Sequence, residues 1–153
     1  MSAGKVRAGA YRSGGFLLDT NVCIEFVRGN LPTGLEVMRA SGPELFKIPS
    51  IVLAELYTGM AKSKLRGKNR ARAEACLLGF LEPLEVLPFD SRCATQYATI
   101  RAELERRGSI IGPNDLLIAA TALANGCVMV TNNTKEFERV PGLRVESWSE
   151  VSV

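Results

Sequence analysis

The chain has 153 residues, of which 46% are hydrophobic and 23% are charged, and this is ordinary globular composition. A chain of this length is most simply one domain, and folding would bury roughly 70% of its unfolded surface. The net charge of +3 is compatible with a nucleic-acid partner but does not indicate one. Because the chain contains no histidine, Ser–His and Cys–His catalysis and zinc sites that need imidazole are excluded.

The four cysteines lie far apart in the sequence and form no Cys-x-x-Cys pair. Cys23, Cys76 and Cys127 stand in apolar segments, so we expect small buried thiols in a reducing cytosol rather than disulfides or a metal site. No apolar run approaches the ~18 residues of a membrane span, and the basic N-terminus lacks the apolar stretch of a secretory signal. We therefore expect a cytoplasmic protein with no membrane partner.

Strands and helices are predicted to alternate along the chain after a disordered, Gly- and Ala-rich extension over residues 1–15. Strands are predicted at residues 16–19, 45–49, 85–87, 127–130 and 143–145. Helices are predicted at residues 20–27, 32–40, 50–60, 70–81, 91–107 and 113–125, and a short turn at residues 136–139. This order indicates an α/β fold, a mainly parallel sheet flanked by helices in a single domain. In such sheets ligands bind at the carboxyl ends of the strands.

Helix ends are marked by residues with known capping preferences. Ser50 is expected to cap the helix that follows it, and Asp90 or Ser91 is expected to cap the long helix that ends near residue 107. Gly108 is expected to close that helix in the left-handed conformation.

Three carboxylates stand in apolar segments, where an unpaired charge is costly. Asp19 follows a buried-type strand, Glu55 lies within an apolar helix, and Asp115 precedes an apolar run. Asp19 could instead cap its helix, and Asp115 could favour the positive end of its own helix. Glu55 is harder to explain in this way, because its helical neighbours are apolar or glycine. A divalent cation is the simplest shared partner for the three acids.

Oxygen ligands without histidine or thiolate favour Mg²⁺ or Mn²⁺ over zinc. Magnesium is usually held by one or two carboxylates, with phosphate oxygens completing its shell. Such a site suits phosphodiester hydrolysis, because the metal activates a water and stabilises the leaving oxygen. Either Asp115 or Glu55 could orient that water.

Four sequence words surround these acids and occur in a fixed order. They are Leu18-Asp19-Thr20-Asn21, Ser50-x-x-x-x-Glu55-Leu56-x-x-Gly59, Ile111-Gly112-Pro113-x-Asp115-x-x-Ile118-Ala119-Ala120 and Val130-Thr131-Asn132-Asn133-Thr134-Lys135-Glu136-Phe137. The ordered set resembles the PIN-domain ribonucleases, and within them the VapC-type toxins of type II toxin–antitoxin modules. The resemblance runs from about residue 16 to residue 148, which we take as the PIN domain, with residues 149–153 as a tail.

The resemblance implies a Mg²⁺ or Mn²⁺ site at the carboxyl edge of the sheet, with Asp19, Glu55 and Asp115 at the family's three acidic positions. A fourth position is often aspartate in a Thr-x-Asp word, and here Asn133 occupies it. Since an amide binds metal more weakly than a carboxylate, one tight metal is expected, with Asn133 holding water or an outer-sphere contact. The resemblance also implies that Asn21 and Thr131 are donors that orient the carboxylates.

The resemblance further implies RNA cleavage, and several members of the family cut transfer RNA in the anticodon loop. A cognate antitoxin typically blocks the cleft, the complex represses its own promoter by binding operator DNA, and the toxins are commonly homodimers. Lys135 and Arg139 stand close to Asn133 and are expected to bind substrate phosphate.

Six basic residues lie within eleven positions that contain no acid: Lys62, Lys64, Arg66, Lys68, Arg70 and Arg72. They form either a solvated loop between helices or a patch that contacts phosphates with salt-dependent affinity. The sequence leaves both open.

Three functions remain after these steps. The first is a metal-dependent endoribonuclease held inactive by an antitoxin. The alternative is a catalytically weak PIN-fold binding module that acts mainly as a co-repressor, which Asn133 keeps open. The third is a hydrolase of small phosphoesters, which lacks support because there is no Gly-rich phosphate loop or Asp-x-Asp motif.

Overall fold

The computed structural model describes residues 14–29, 38, 40 and 42–148. The predictions for residues 1–13, for most of the helix at 32–40 and for the tail at 149–153 lie outside these described residues. Gly14 and Gly15, the end of the expected extension, are described and lie against the body of the fold. The carbonyl of Gly15 accepts a hydrogen bond from the N–H of Val128 at 2.8 Å.

Strands and helices alternate as predicted. The strands are β1 (Phe16–Leu18), β2 (Phe46–Pro49), β3 (Glu85–Leu87), β4 (Val128–Val130) and β5 (Val145–Glu146). The helices are α1 (Thr20–Val27), α2 (Ser50–Ala61), α3 (Gly67–Leu81), α4 (Ser91–Arg107), α5 (Pro113–Ala124) and α6 (Thr134–Phe137), with a 3-10 turn at Pro43–Leu45. The bounds of α1 and β3 match the prediction. Helix α3 begins three residues earlier than predicted, and the short turn near residue 136 is helical.

The described strands form one parallel sheet in the order β3-β2-β1-β4-β5. Strands β1 and β4 are central and fully buried, which explains why their sequences are uninterrupted apolar runs. Phe16 is in register with both Phe46 and Val128. The carboxyl ends of β1 and β4 are therefore neighbours, and the residues that follow them meet at one edge of the sheet. The predicted parallel sheet flanked by helices is confirmed.

An aromatic cluster joins the end of the described chain to its first strands. The rings of Phe16 and Phe46 stack with centroids 5.3 Å apart. Trp148 packs on both, with its ring centroid 5.2 Å from that of Phe16 and 5.5 Å from that of Phe46. The segment after β5 therefore covers the aromatic side chains of β1 and β2.

The helix caps agree with the sequence except at Ser50. Asp90 caps α4, accepting a hydrogen bond from the N–H of Cys93 at 3.1 Å, and this bond lowers the pKa of the Asp90 carboxyl. Gly108 ends α4 with φ of 68°, as predicted. The prediction for Ser50 is wrong, because Ser50 is already the first helical residue and Pro49 precedes it in extended backbone without a side-chain cap.

The cysteines are free, but their burial differs from the prediction in one case. Cys23, Cys93 and Cys127 are buried, whereas Cys76 is exposed on α3. Burial raises the pKa of the Cys127 thiol to about 11, and it also raises that of Cys23. Within the described part of the chain, no helix has the length and apolar character needed to cross a membrane.

Candidate active site

Asp19 lies directly after β1, at the carboxyl edge of the sheet, and only 6% of its surface is exposed. One carboxylate oxygen accepts a hydrogen bond from the N–H of Val22 at 2.9 Å and caps α1. The other accepts a hydrogen bond from the hydroxyl of Thr131, which follows β4. Burial raises the pKa of Asp19, although both hydrogen bonds oppose this. Asp19 is therefore both a helix cap and a fixed acid of the edge, and Thr131 holds its carboxylate in place.

Glu55 connects three helices at the same edge. Its Oε2 accepts a hydrogen bond from the hydroxyl of Thr20 in α1 at 2.7 Å. Its Oε1 accepts one from the side-chain amide of Asn114 in α5 at 3.1 Å. The sequence did not assign Thr20 or Asn114 a part in the site, so their role in holding Glu55 was missed. Their position beside two candidate acids was the available signal.

Asp115 lies in the first turn of α5 and shares a hydrogen bond with Glu136 of α6. The pKa of Asp115 is raised to about 7, first by burial and then by the hydrogen bond to Glu136. The negative charges of Glu136, Asp19 and Glu55 add to this rise. The three predicted acids thus face a common space, close enough for each to influence the protonation of Asp115.

Glu136 is a fourth acid of this site, and the sequence did not single it out. Its Oε1 accepts a hydrogen bond from the N–H of Gly112 at 2.6 Å, and this bond is the largest cause of its lowered pKa. Hydrogen bonds from Asp115 and Asn133 and the positive charge of Arg139 act in the same direction. Glu136 is therefore the acid that stays ionised while its neighbour Asp115 holds the shared proton. The only sequence signal was an acid three residues after Asn133.

Asn133 reaches the site through Glu136. Its backbone N–H donates to the hydroxyl of Thr131 at 3.0 Å, and its side-chain amide donates to Oε2 of Glu136 at 2.5 Å. A continuous series of hydrogen bonds therefore runs from Asp19 through Thr131 and Asn133 to Glu136. The amide at the family's fourth acidic position holds a carboxylate one helical turn further along the chain.

The remaining predicted residues lie at the margin of the site. Of the hydrogen bonds among the described residues, none joins Asn21 to a carboxylate, and Asn21 is exposed. Lys135 is exposed on α6. Arg139 is exposed and donates to the carbonyl of Ile110 at 3.2 Å, which links the loop before α5 to the end of α6. Their predicted roles stay predictions.

The donor set of the site suits a hard cation. Within the described residues, no three acidic, thiol or imidazole side chains stand close enough to form a ready-made metal cage. The acids nevertheless influence one another, since the pKa of Asp115 rises partly because Glu136, Asp19 and Glu55 are negative. A cation would relieve this repulsion, and carboxylate oxygens without imidazole or thiolate match Mg²⁺ or Mn²⁺, with water completing the shell.

The comparison with known proteins agrees with this architecture. The model of the PIN domain family matches residues 16–143. Ribonuclease VapC2 of Rickettsia felis is 40% identical over 138 residues, which cover 88% of this chain and 98% of that protein. The tRNA(fMet)-specific endonuclease VapC of Shigella flexneri is 43% identical over 134 residues, covering 88% of this chain and 98% of that protein.

Solved structures give the same result. The structure of VapBC2 from Rickettsia felis bound to a DNA fragment from the promoter contains a chain 40% identical to this one, with a TM-score of 0.75, covering 87% of this chain and 98% of the other. DNA-bound VapBC from Salmonella typhimurium has a TM-score of 0.78 at 41% identity, covering 88% and 98%. The chain belongs to the PIN-domain family, in its branch of VapC-type ribonucleases. The family that the sequence words indicated is confirmed.

The metal-free protein should lose stability as the pH rises, because the folded state holds the proton of Asp115 more tightly than the unfolded state does. The penalty begins near the ordinary pKa of 3.8 and is complete above about 7. Asp115→Asn removes the charge and keeps a donor for Glu136. We expect metal-free Asp115→Asn to melt about 2–4 °C above the parent at pH 8, on the order of 1 kcal/mol after solvent screening.

At pH 5 the difference should be clearly smaller, because the unfolded state has lost the proton of Asp115 over a shorter pH span than at pH 8 while the folded state still holds it. Scanning calorimetry of chelator-treated protein at both pH values measures the difference. An equal loss of stability with pH in parent and variant would contradict the assignment of the raised pKa to Asp115.

Proposed function

We propose that this protein is a metal-dependent endoribonuclease, the toxin of a toxin–antitoxin module. The observation that carries the proposal is the convergence of Asp19, Glu55, Asp115 and Glu136 at one edge of the sheet, where the pKa of Asp115 rises to about 7. A structural role alone would not explain four carboxylates at one edge of a buried sheet, because their mutual repulsion destabilises the fold.

The four acids are proposed to hold Mg²⁺ or Mn²⁺. When bound, the ion supplies activation of a water and stabilisation of the charge that develops on the phosphodiester. One backbone N–H and one hydroxyl donate hydrogen bonds to Asp19, and one hydroxyl and one side-chain amide donate to Glu55. These contacts orient the ligands before substrate arrives, which is how neighbouring donors raise metal affinity.

The acids on α5 and α6 are proposed to manage the proton of the attacking water. In the metal-free protein Asp115 and Glu136 share a hydrogen bond and can hold a proton between them at neutral pH. Release of that proton is favoured when a cation is bound, so that the pair could then accept one from the water. Glu55, held by Thr20 and Asn114, is the alternative group to orient the water. Lys135 is exposed next to Glu136 and is proposed to contact a substrate phosphate.

The proposed partners are RNA, a cognate antitoxin and, through the antitoxin complex, operator DNA. The VapBC structures that this chain resembles include DNA-bound complexes, and these support the antitoxin and operator DNA as partners. A homodimeric toxin is proposed on the family resemblance alone. The Shigella flexneri relative is named as specific for tRNA(fMet), so initiator transfer RNA is the first substrate to test here. Such a protein acts in the cytoplasm.

A co-repressor role is compatible with the nuclease role but does not replace it. Asn133 was the residue that favoured a catalytically weak module. Since its side chain holds Glu136 in place at 2.5 Å, the site keeps four carboxylates. A binding module without catalysis would have no need of them.

Incubation of antitoxin-free protein with total cellular RNA and Mg²⁺ tests the proposal. Discrete new 5′ ends, mapped by sequencing, are expected with Mg²⁺ and should be absent when a chelator is added. If initiator transfer RNA is the target, the ends should fall within it. Well-folded protein that produces no new ends on any RNA would leave only the co-repressor role.

A further inference from the structure

An open groove of about 560 Å³ runs along α2 and begins at the candidate active site. It is lined by Ile51, Ala54, Glu55, Thr58, Gly59 and Lys62 of α2 and by Asn114 of α5. The hydrogen bond between Asn114 and Glu55 forms one end of this α2 groove. Any polymer whose backbone is cut at the carboxylates must leave the site along some surface, and the α2 groove is continuous with it.

The far end of the α2 groove is positively charged. Lys62 lies seven residues after Glu55, about 10 Å further along the helix axis. It is exposed, as are Lys64, Arg66 and Lys68 in the loop and helix that follow. Of the ion pairs among the described residues, none involves these four side chains. Their charge is therefore available to an anionic ligand.

Arg70 differs from the rest of the basic cluster and has a structural role. Its guanidinium pairs with Glu74 at 2.9 Å and donates to the carbonyls of Ser63 at 3.3 Å and Met60 at 3.2 Å. It therefore holds the basic loop against the end of α2. The position of Lys62 at the mouth of the groove is fixed rather than left to a freely moving loop.

The floor of the α2 groove has room for a ligand. Gly59 contributes no side chain, and a Cβ added there would meet nothing within 4 Å. The hydroxyl of Thr58 donates to the carbonyl of Ala54 in its own helix at 2.7 Å, so it is occupied. An open channel with carboxylates at one end and a lysine at the other fits a polyanion held at a cation site.

We propose that the α2 groove holds the RNA strand on one side of the cleaved bond, with Lys62 contacting a neighbouring phosphate. The inference rests on the proposed function and names the surface that the substrate uses. A second groove lies on the other side of α2, but its lining includes the exposed apolar side chains of Tyr57, Leu78 and Val86. No basic side chain lines that second groove and the acid Glu82 does, so charge complementarity favours the α2 groove.

Two helical glycines provide a matched test. Gly59 lies in the α2 groove, whereas Gly79 lies in the apolar groove, and a Cβ added at either position would meet nothing within 4 Å. Both substitutions by glutamate raise helix propensity equally. In an Asp19→Asn background, we expect Gly59→Glu to weaken binding of a labelled single-stranded RNA at least about tenfold, while Gly79→Glu leaves it unchanged.

Lys62→Gln gives a second, independent measurement. It should reduce the slope of log affinity against log salt by about one, as expected for loss of one phosphate contact. Arg28→Gln, an exposed residue that ends α1 on the side away from Asp19, should leave the slope unchanged. With Asp19 intact, the rise in melting temperature with added Mg²⁺ should be the same in Gly59→Glu, Gly79→Glu and Lys62→Gln as in the parent, which separates strand binding from metal binding.

Several outcomes would overturn the proposal. One is RNA binding by Gly59→Glu at the parent affinity, and another is equal weakening by Gly79→Glu. If Gly59→Glu loses binding to the antitoxin but keeps its affinity for RNA, the α2 groove belongs to the protein partner. If the parent protein cleaves no RNA, the proposed nuclease function is contradicted. The proposal for the α2 groove is tested separately, by the ratio of the RNA affinities of Gly59→Glu and Gly79→Glu.

Discussion

Replacing Asp19 with asparagine is expected to abolish RNA cleavage and growth inhibition while leaving the protein folded. Asparagine is as good an N-cap as aspartate, so its side-chain oxygen can still accept from the N–H of Val22. The change removes one negative charge from the buried edge where β1 and β4 meet. A loss of at least about 100-fold is expected, because a ligand that positions the cation is gone.

Asp90→Asn is the matched control for this variant. Asp90 and Asp19 both cap helices by accepting an N–H from three residues further on, at 3.1 and 2.9 Å. Asp90 lies away from the candidate site, so Asp90→Asn should cleave RNA at the parent rate. Cleavage is followed by gel with each purified protein, and circular dichroism verifies the fold. A fully active Asp19→Asn protein would overturn the assignment of the site.

Glu136→Gln is expected to reduce cleavage by at least about tenfold, although no sequence pattern assigned this residue a role. The glutamine keeps an oxygen for the N–H of Gly112, which now holds Oε1 of Glu136 at 2.6 Å. It removes one of the negative charges that face Asp115, so the site attracts a cation less strongly. Mg²⁺ should therefore bind less tightly, and its stabilisation of the fold should shrink by mass action.

Glu138→Gln is the control that removes one negative charge two residues further on. It tests whether Mg²⁺ binding and cleavage depend on the carboxylate of Glu136 itself or only on the local charge. Glu138 is exposed just after α6. Calorimetric titration of both variants with Mg²⁺ gives the affinity, and single-turnover cleavage of RNA gives the rate. If Glu136→Gln binds Mg²⁺ and cleaves RNA like Glu138→Gln, then Glu136 is only a structural link between α6 and the loop before α5.

The sequence identified Asp19, Glu55 and Asp115 because each carboxylate interrupts an apolar run, and burial of a charge is visible from its neighbours. It also indicated the edge at which they meet, since parallel strands end together. Glu136 carried no such signal. It stands in a charged, short segment typical of a solvated turn, and its bond to Gly112 joins residues 24 positions apart, which only the folded chain brings together.

Two local predictions failed because each was made from the neighbouring residues alone. Ser50 has a good capping side chain, but β2 ends at Pro49, which therefore occupies the capping position. Ser50 is already the first residue of α2. Cys76 has apolar neighbours, yet on α3 only Leu77 is buried, because the outer face of that helix is not covered by other described elements. Local composition gives propensity, whereas the face that a helix presents to the core depends on what packs against it.

The stacking of Trp148 on Phe16 and Phe46 has a consequence for synthesis of the protein in the cell. Asp19 is translated long before Glu136, and the tryptophan that covers β1 and β2 follows still later. A growing chain on the ribosome therefore carries no assembled site until Glu136 has been added. The site can therefore become complete only after the segment that carries Glu136 has been made, and its cover only after Trp148.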